Sequence, residues 1–232
     1  GTYSGSTGEA TVTGANSHWD NSWTLYVGFE GDGTLNVEAG GVVTSENDSV
    51  IGFLSDSTGE ATVTGPGSPW TNSNGPYVGK SGSCTLNIES EGVLSNTAGY
   101  ICRYATSTGE ATVTVSGSQS NNSGDPSVGD EGNGTLNIEN EGLVAVGGTT
   151  SIGAMGTVNL TGGRFEFSQT TLAEFNTINA TAGAMAGDVM ITGVNDVALL
   201  SALQNPAVDL SEVAAVNEGL LHGDAKIGRA HV

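Results

Sequence analysis

Short runs of alternating apolar and polar residues recur along most of this chain. Residues Glu9–Thr13 read EATVT and residues Thr34–Glu38 read TLNVE, and the second and fourth residues of each run are apolar. This period of two is typical of a strand with one buried face. Glycines bound the runs, and no helical pattern is present before about residue 190. The pattern therefore predicts an all-β protein built from short strands.

The runs belong to an internal repeat. The octapeptide STGEATVT occurs at Ser6–Thr13, Ser57–Thr64 and Ser107–Thr114, and a TLN(V/I)E run follows each copy. The repeat of about 50 residues thus contains two similar halves of about 25 residues. A unit of this size cannot bury its own apolar face, whereas stacked units can. We therefore predict a parallel β-helix with about 25 residues per coil.

General rules predict the handedness of this β-helix and identify the main alternative fold. Parallel strands prefer right-handed crossovers, so we expect the right-handed form. The six-residue period of left-handed hexapeptide helices is absent. A propeller with blades of about 40–50 residues is the alternative. The similarity of the two halves argues against it, because it makes every second strand equivalent.

Stacking in register would place the outward residues in columns. One column would alternate glutamate with threonine: Glu9, Thr34, Glu60, Thr85, Glu110 and Thr135. A second would do the same: Thr13, Glu38, Thr64, Glu89, Thr114 and Glu139. Alternation would hold like charges roughly 9–10 Å apart, near the Debye length of physiological salt. Between them would run a column suited to side-chain hydrogen bonds: Thr11, Asn36, Thr62, Asn87, Thr112 and Asn137.

The repeats divide the chain unevenly. We assign residues 1–165 to the repeat β-helix, with repeats at 6–56, 57–106 and 107–156 and a partial copy at 157–165. Residues 166–226 are expected to continue as irregular coils, with a short helix near 195–205. The last six residues, IGRAHV, resemble the translation of a sequencing adapter, so we expect 227–232 not to be native.

The net charge and the ends of the chain limit which partners and which cellular location we expect. The net charge is −20 with five lysines and arginines, which argues against nucleic acid as a partner. No apolar run approaches the roughly 20 residues that span a bilayer. The chain begins at Gly1 with no visible signal peptide. We expect a fragment whose missing termini carry the targeting information and any membrane attachment.

Two cysteines stand where sister repeats carry glycine. Cys84 matches Gly33 and Gly134, and Cys102 matches Gly52 and Gly153. The residues leave open whether the two form a disulfide. Two unrelated replacements of glycine are the interpretation that the sequence favours.

The candidate ligand contacts are loop tryptophans. Trp19 and Trp70 are equivalent, the third repeat has Ser120 there, and Trp23 lies in the same loop as Trp19. Tryptophans stacked along one side of the helix are suited to binding a sugar. The alternative is that each covers the end of the apolar interior, which is the interpretation that we favour because the third repeat lacks one.

Metal and catalytic sites find weaker support. Turns near Glu30 and Asp130 carry oxygen ligands that Ca²⁺ accepts, but the second repeat reads GKSGSC there and has lost the carboxylates. Solvated turns are the favoured interpretation, so no cofactor is expected. The glutamates recur in every repeat, whereas a catalytic pair normally breaks a repeat once. We therefore expect no enzymatic activity; a polysaccharide lyase or hydrolase is the less favoured alternative.

The repeat STGEATVTG…W…YVG…G.GTLNIE..G resembles the repeat shared by bacterial autotransporter (type V secretion) passengers and PEP-CTERM proteins, over roughly residues 1–165. The resemblance implies a secreted, outer-membrane-associated surface β-helix from a Gram-negative-type envelope. The expected function is a structural or adhesin-like, non-catalytic module. Its expected partner is a surface polysaccharide or a host or matrix component. A carbohydrate-binding module that uses the loop tryptophans is the alternative.

Overall fold

The computed structural model describes residues 1–172, 177–191 and 207–217. Its described residues form a parallel β-helix, which confirms the predicted fold class. Each of the first five coils has three strands. The long first strands, and that of coil 6, are β1 Thr7–Thr13, β4 Asp32–Glu38, β7 Thr58–Thr64, β10 Ser83–Glu89, β13 Thr108–Thr114 and β16 Asn133–Glu139.

The other two sides of each coil are shorter. The second strands are β2 His18–Asn21, β5 Val42–Ser45, β8 Pro69–Asn72, β11 Val93–Asn96 and β14 Gln119–Asn122. The third strands are β3 Leu25–Val27, β6 Ser49–Ile51, β9 Pro76–Val78, β12 Tyr100–Ile101 and β15 Ser127–Val128. Longer strands follow: β17 Leu143–Ile152, β18 Gly156–Leu172, β19 Thr177–Ile191 and β20 Val208–Asn217.

Equivalent strands pair in parallel from coil to coil. Thr7 lies opposite Asp32, so one coil takes about 25 residues, as predicted. The later coils are shorter, because Asn137, Asn159 and Asn179 stack at separations of 22 and 20 residues. The right hand of the winding stays a prediction.

The predicted columns are present. Glu9 lies opposite Thr34, Thr34 opposite Glu60, and the alternation continues to Thr135. In the asparagine column, Asn159 Nδ2 donates to Asn137 Oδ1 at 2.8 Å and Asn179 Nδ2 donates to Asn159 Oδ1 at 3.0 Å. The repeated octapeptide therefore serves the stacking, since within each column it places threonine, and not a second glutamate, on the adjacent coil.

Inward side chains fill one continuous apolar interior. The first strands contribute the second and fourth residues of each run, for example Leu35 and Val37, which are buried. The second strands, together with the parts of β17 and β18 that stack on them, contribute one column of inward residues: Val43, Trp70, Leu94, Ser120, Val144 and Phe165. Polar Ser120 is the exception in this column, and an interior cavity of about 50 Å³ lies beside it.

Glycines form the corner between the third strand and the next first strand. Gly28 and Gly79 adopt φ of 79° and 81°, the left-handed region that favours glycine. Gly33, in the facing strand, packs so closely that an added Cβ would lie 2.1 Å from the Gly28 nitrogen. This glycine corner therefore excludes side chains in most coils.

The C-terminal third is described in part. Strands β19 and β20 pair in parallel, which extends the stacking beyond the repeats. The helix predicted near 195–205 and the segment 227–232 lie outside the described residues. No described residue belongs to a helix long and apolar enough to cross a membrane.

Candidate functional site

Aromatic and basic side chains gather along one edge of coils 1–4. We call this set the aromatic strip, and its members are Tyr26, Phe29, Phe53, Tyr77, Lys80, Tyr100 and Arg103. It holds three of the five tyrosines and two of the five basic residues of the chain. In so acidic a protein, this concentration marks the strip as the candidate site.

The coil geometry assembles the strip from two columns. Tyr77 and Tyr100 lie opposite each other as outward residues of the third strands. The second column consists of the residues that directly follow the turn residue of each corner: Phe29, Phe53, Lys80 and Arg103. Backbone bonds hold it in register, because Phe53 N donates to Gly28 O at 2.9 Å and Lys80 N donates to Gly52 O at 3.0 Å. The strip is therefore a consequence of the repeat spacing.

The rings pack on one another along the helix axis. The centroids of Tyr77 and Tyr100 are 4.8 Å apart with the planes at 21°, and those of Phe29 and Phe53 are 4.7 Å apart at 20°. Tyr26 meets both phenylalanines edge-on, at 4.9 and 5.2 Å. Much of each ring face is thus covered by its neighbour.

The two cations lie over these rings. Lys80 Nζ is 5.0 Å from the Phe53 centroid and 5.3 Å from that of Tyr77. The Arg103 guanidinium is 4.6 Å from the Tyr100 centroid, and its Nη1 donates to Tyr77 Oη at 3.3 Å. Such contacts are favourable, by about 0.5–1 kcal/mol at exposed sites. They also fix the position of both positive charges.

Neither cation forms a salt bridge with a described residue; the ion pair that the described residues do form joins Arg164 Nε to Glu166 Oε1 at 2.5 Å. Burial, followed by the charge of Asp48, raises the pKa of Tyr77 above its ordinary value. The Tyr77 hydroxyl therefore stays neutral at physiological pH. The centre of the strip thus presents two positive charges that no described carboxylate neutralises by direct contact.

The strip has the chemistry of an anion-binding surface. A guanidinium carries five N–H donors in a planar fork that fits a carboxylate, and Tyr77 accepts from one nitrogen of Arg103. Tyrosine and arginine are also enriched where proteins bind partners. An extended ligand with repeated negative groups would meet Lys80 and Arg103 on successive coils.

The three tryptophans that the sequence offered as ligand contacts differ in how deeply they are buried. Trp70 is fully buried in the interior column, so its ring faces no ligand while the coil is closed. Trp19 is half-buried and packs against the core. Trp23 is 79 % exposed. Trp70 therefore lies within a strand of the interior column, and ligand contact by Trp19 and Trp23 stays a prediction.

A second surface feature is a shallow polar groove of about 560 Å³ beside the second strands. Serine, threonine and asparagine dominate its lining, which includes Thr71, Ser95, Asn121, Ser123 and Glu166. Hydroxyl and amide groups of this kind can bond sugar hydroxyls. The groove lacks the basic and aromatic residues that distinguish the aromatic strip.

The turns considered for Ca²⁺ show no converging ligands. Among the described residues, no three histidine, cysteine, aspartate or glutamate side chains cluster around one point. Asp130 instead accepts a hydrogen bond from the Ser127 hydroxyl at 2.9 Å. Calcium binding at these turns remains the less favoured alternative, and the expectation of no cofactor stays a prediction.

Sequence reasoning missed the aromatic strip. The sequence did carry a signal for it, because the residue that follows the turn residue of each corner is aromatic or basic in coils 1–4. Read with the tyrosines that precede the corner, those positions form two neighbouring columns. A comparison with family models, curated proteins and solved structures finds no match to this chain.

Proposed function

We propose that this chain is a non-catalytic module of the cell surface or the extracellular space, in which a stiff β-helix presents the aromatic strip to an acidic polysaccharide. The observation that carries the proposal is the pair of cations, Lys80 and Arg103, held over aromatic rings without carboxylate partners among the described residues. Surface localisation is supported by the resemblance of the repeat to exported passengers. Autotransporter or PEP-CTERM export remains part of the proposal.

The charge pattern favours an acidic sugar over a neutral one. Ring faces that stack on each other leave little area for the stacking by which aromatics usually hold neutral sugars. The guanidinium and ammonium groups instead fit the carboxylates of a uronate polymer. The protein's many remote carboxylates are screened beyond about 8 Å at physiological salt. Binding is therefore expected to depend on these two side chains locally.

The rod geometry suits adhesion by many weak contacts. Lys80 and Arg103 lie on successive coils, so a polymer lying along the axis can contact both at once. Linked contacts add through effective concentration, and each can be weak. The mechanism is multivalent contact, and no step of it requires bond breaking.

The test is retention of the protein on immobilised polygalacturonate, with dextran as the neutral comparison. We expect retention on the uronate polymer and little on dextran. Arg103→Gln and Lys80→Gln should each weaken retention about tenfold, the loss of one charge-assisted contact of about 1.5 kcal/mol.

Arg164→Gln is the matched control, because it removes the same charge outside the strip. It should leave retention within about twofold of the parent protein. Equal losses for Arg103→Gln and Arg164→Gln would assign the effect to net charge and remove the strip from the proposal. No retention on any acidic polysaccharide would overturn the proposed function.

The alternative that uses loop tryptophans predicts a different variant profile. Trp23→Ala should abolish retention if that ring holds the sugar, whereas the aromatic strip predicts no effect. If the Trp23 ring holds the sugar, the protein should also be retained on dextran, and Arg103→Gln should leave that retention unchanged.

A further inference from the structure

Two cysteines lie in the adjacent glycine corners at the start and at the end of coil 4. Cys84 takes the position of the strand glycine, opposite Gly59 and Gly109. Cys102 takes the position of the turn glycine, with φ of 56°. A residue with a side chain pays about 1–2 kcal/mol in this left-handed conformation. The strained residue Cys102 therefore lies beside the second cysteine of the same coil.

Both sulfur atoms enter the same small space. From the point where a Cβ on Gly79 would lie, Cys84 Sγ is 3.0 Å away and Cys102 Sγ is 3.2 Å away. From the equivalent point on Gly109, the two distances are 3.3 and 2.8 Å. The sulfurs are therefore at most about 6 Å apart. Gly79 and Gly109 make this space available because they have no side chains.

We propose that Cys84 and Cys102 form an intrachain disulfide that closes coil 4 into a covalent ring. The oxidant is a small disulfide such as oxidised glutathione. The thiolate of one cysteine attacks a glutathione sulfur and releases one glutathione thiolate. The second cysteine thiolate then attacks the mixed disulfide and releases the other. The two protons lost by the cysteines end on the two glutathione thiols, so atoms and electrons balance.

The space that the two sulfur atoms share favours a disulfide over two unrelated replacements of glycine. Unrelated replacements of glycine would have no reason to direct both sulfurs into one pocket between Gly79 and Gly109. A covalent bond there also offers a physical reason for a cysteine in the strained conformation of Cys102. The inference is independent of what the aromatic strip binds.

Burial determines when the bond forms. Burial raises the pKa of Cys102 to about 11 and raises that of Cys84 even further. The thiolate is the reactive form, so the folded, reduced protein should react with oxidants more slowly than a protein with exposed thiols. We therefore expect the bond to form while coil 4 is still open during folding, and then to resist reductants until the coil unfolds.

The experiment refolds the full chain from denaturant in a mixture of reduced and oxidised glutathione. We expect the intact mass to fall by two hydrogens and no free thiol to be detected after denaturation. A glutamate-specific protease cuts after Glu89 and Glu91, between the two cysteines. The fragments that contain Cys84 and Cys102 should therefore stay joined until a reductant is added.

A thermal measurement gives the second readout. Closing a loop of this length should raise the midpoint of unfolding by about 6–12 °C over the same protein refolded in reductant. The control is the double variant Cys84→Gly with Cys102→Gly, which restores the repeat glycines and should not respond to reductant. Two free thiols, stable glutathione adducts, or disulfide-linked dimers after refolding would each overturn the inference.

Discussion

Replacing Trp70 tests the assignment of one tryptophan to the interior and another to the surface. Trp70 is fully buried between Val43 and Leu94, whereas Trp23 is 79 % exposed. A buried tryptophan removes about 150–250 Å² from water, which is worth about 4–6 kcal/mol at about 25 cal/mol per Å². We expect Trp70→Ala to lower the free energy of unfolding by about 3–5 kcal/mol. Trp23→Ala should change it by less than about 0.5 kcal/mol.

A third variant separates the ring from its polar atom. Trp70 Nε1 is buried without a hydrogen-bond partner among the described residues. Trp70→Phe keeps most of the apolar volume and removes this donor, so its cost should be only about 1 kcal/mol. Urea unfolding followed by far-UV circular dichroism measures all three variants. A loss for Trp23→Ala as large as for Trp70→Ala, or a loss below about 1 kcal/mol for Trp70→Ala, would refute the reasoning.

Three further predictions concern the interior, the glycine corner and the strip, and the same urea unfolding measures each of them. Ser120→Val should stabilise the protein by about 1 kcal/mol because it fills part of the 50 Å³ cavity, and a destabilised variant would contradict this. Gly33→Ala should cost about 1–3 kcal/mol because its Cβ would lie 2.1 Å from Gly28 N. Gly8→Ala, in the same column of the end coil, should cost less than about 1 kcal/mol because its nearest contact is Gly1 N at 3.2 Å; equal costs would contradict the corner geometry. Arg103→Gln should cost about 0.5–1 kcal/mol through loss of its ring contacts, and an unchanged stability would show that those contacts contribute nothing.

The stacking could be predicted because its signal repeats. Glu9 and Thr34 occupy corresponding positions of two similar runs, and only parallel stacking makes such positions neighbours. The alternation of glutamate and threonine follows from the repulsion of like charges. The inward and outward faces of the first strands could be predicted for the same reason, since each seven-residue strand contains several alternations.

The shorter strands carried too little signal. The strand from Pro69 to Asn72 has four residues, and its two inward residues are Trp70 and polar Asn72. A period of two cannot be recognised from one apolar residue. The sequence alone therefore could not decide between a covering role and a ligand-binding role for Trp70.

The aromatic strip escaped prediction for a different physical reason. Tyr77 and Arg103 are 26 residues apart along the chain, and the stacking of coil 4 on coil 3 brings their side chains into contact. Propensity and periodicity describe strands, but they do not describe the direction in which a turn residue points. The strip required the three-dimensional path of the corner.

The most direct test of the proposed function follows the arginine side chains while ligand is added. The chain has three arginines, Arg103, Arg164 and Arg229, so their Nε–H signals can be assigned by single substitutions. Titration with an oligogalacturonate should move the Arg103 signal along a saturating curve and leave that of Arg164 in place. An unmoved Arg103 signal, or equal movement of Arg103 and Arg164, would contradict binding at the aromatic strip.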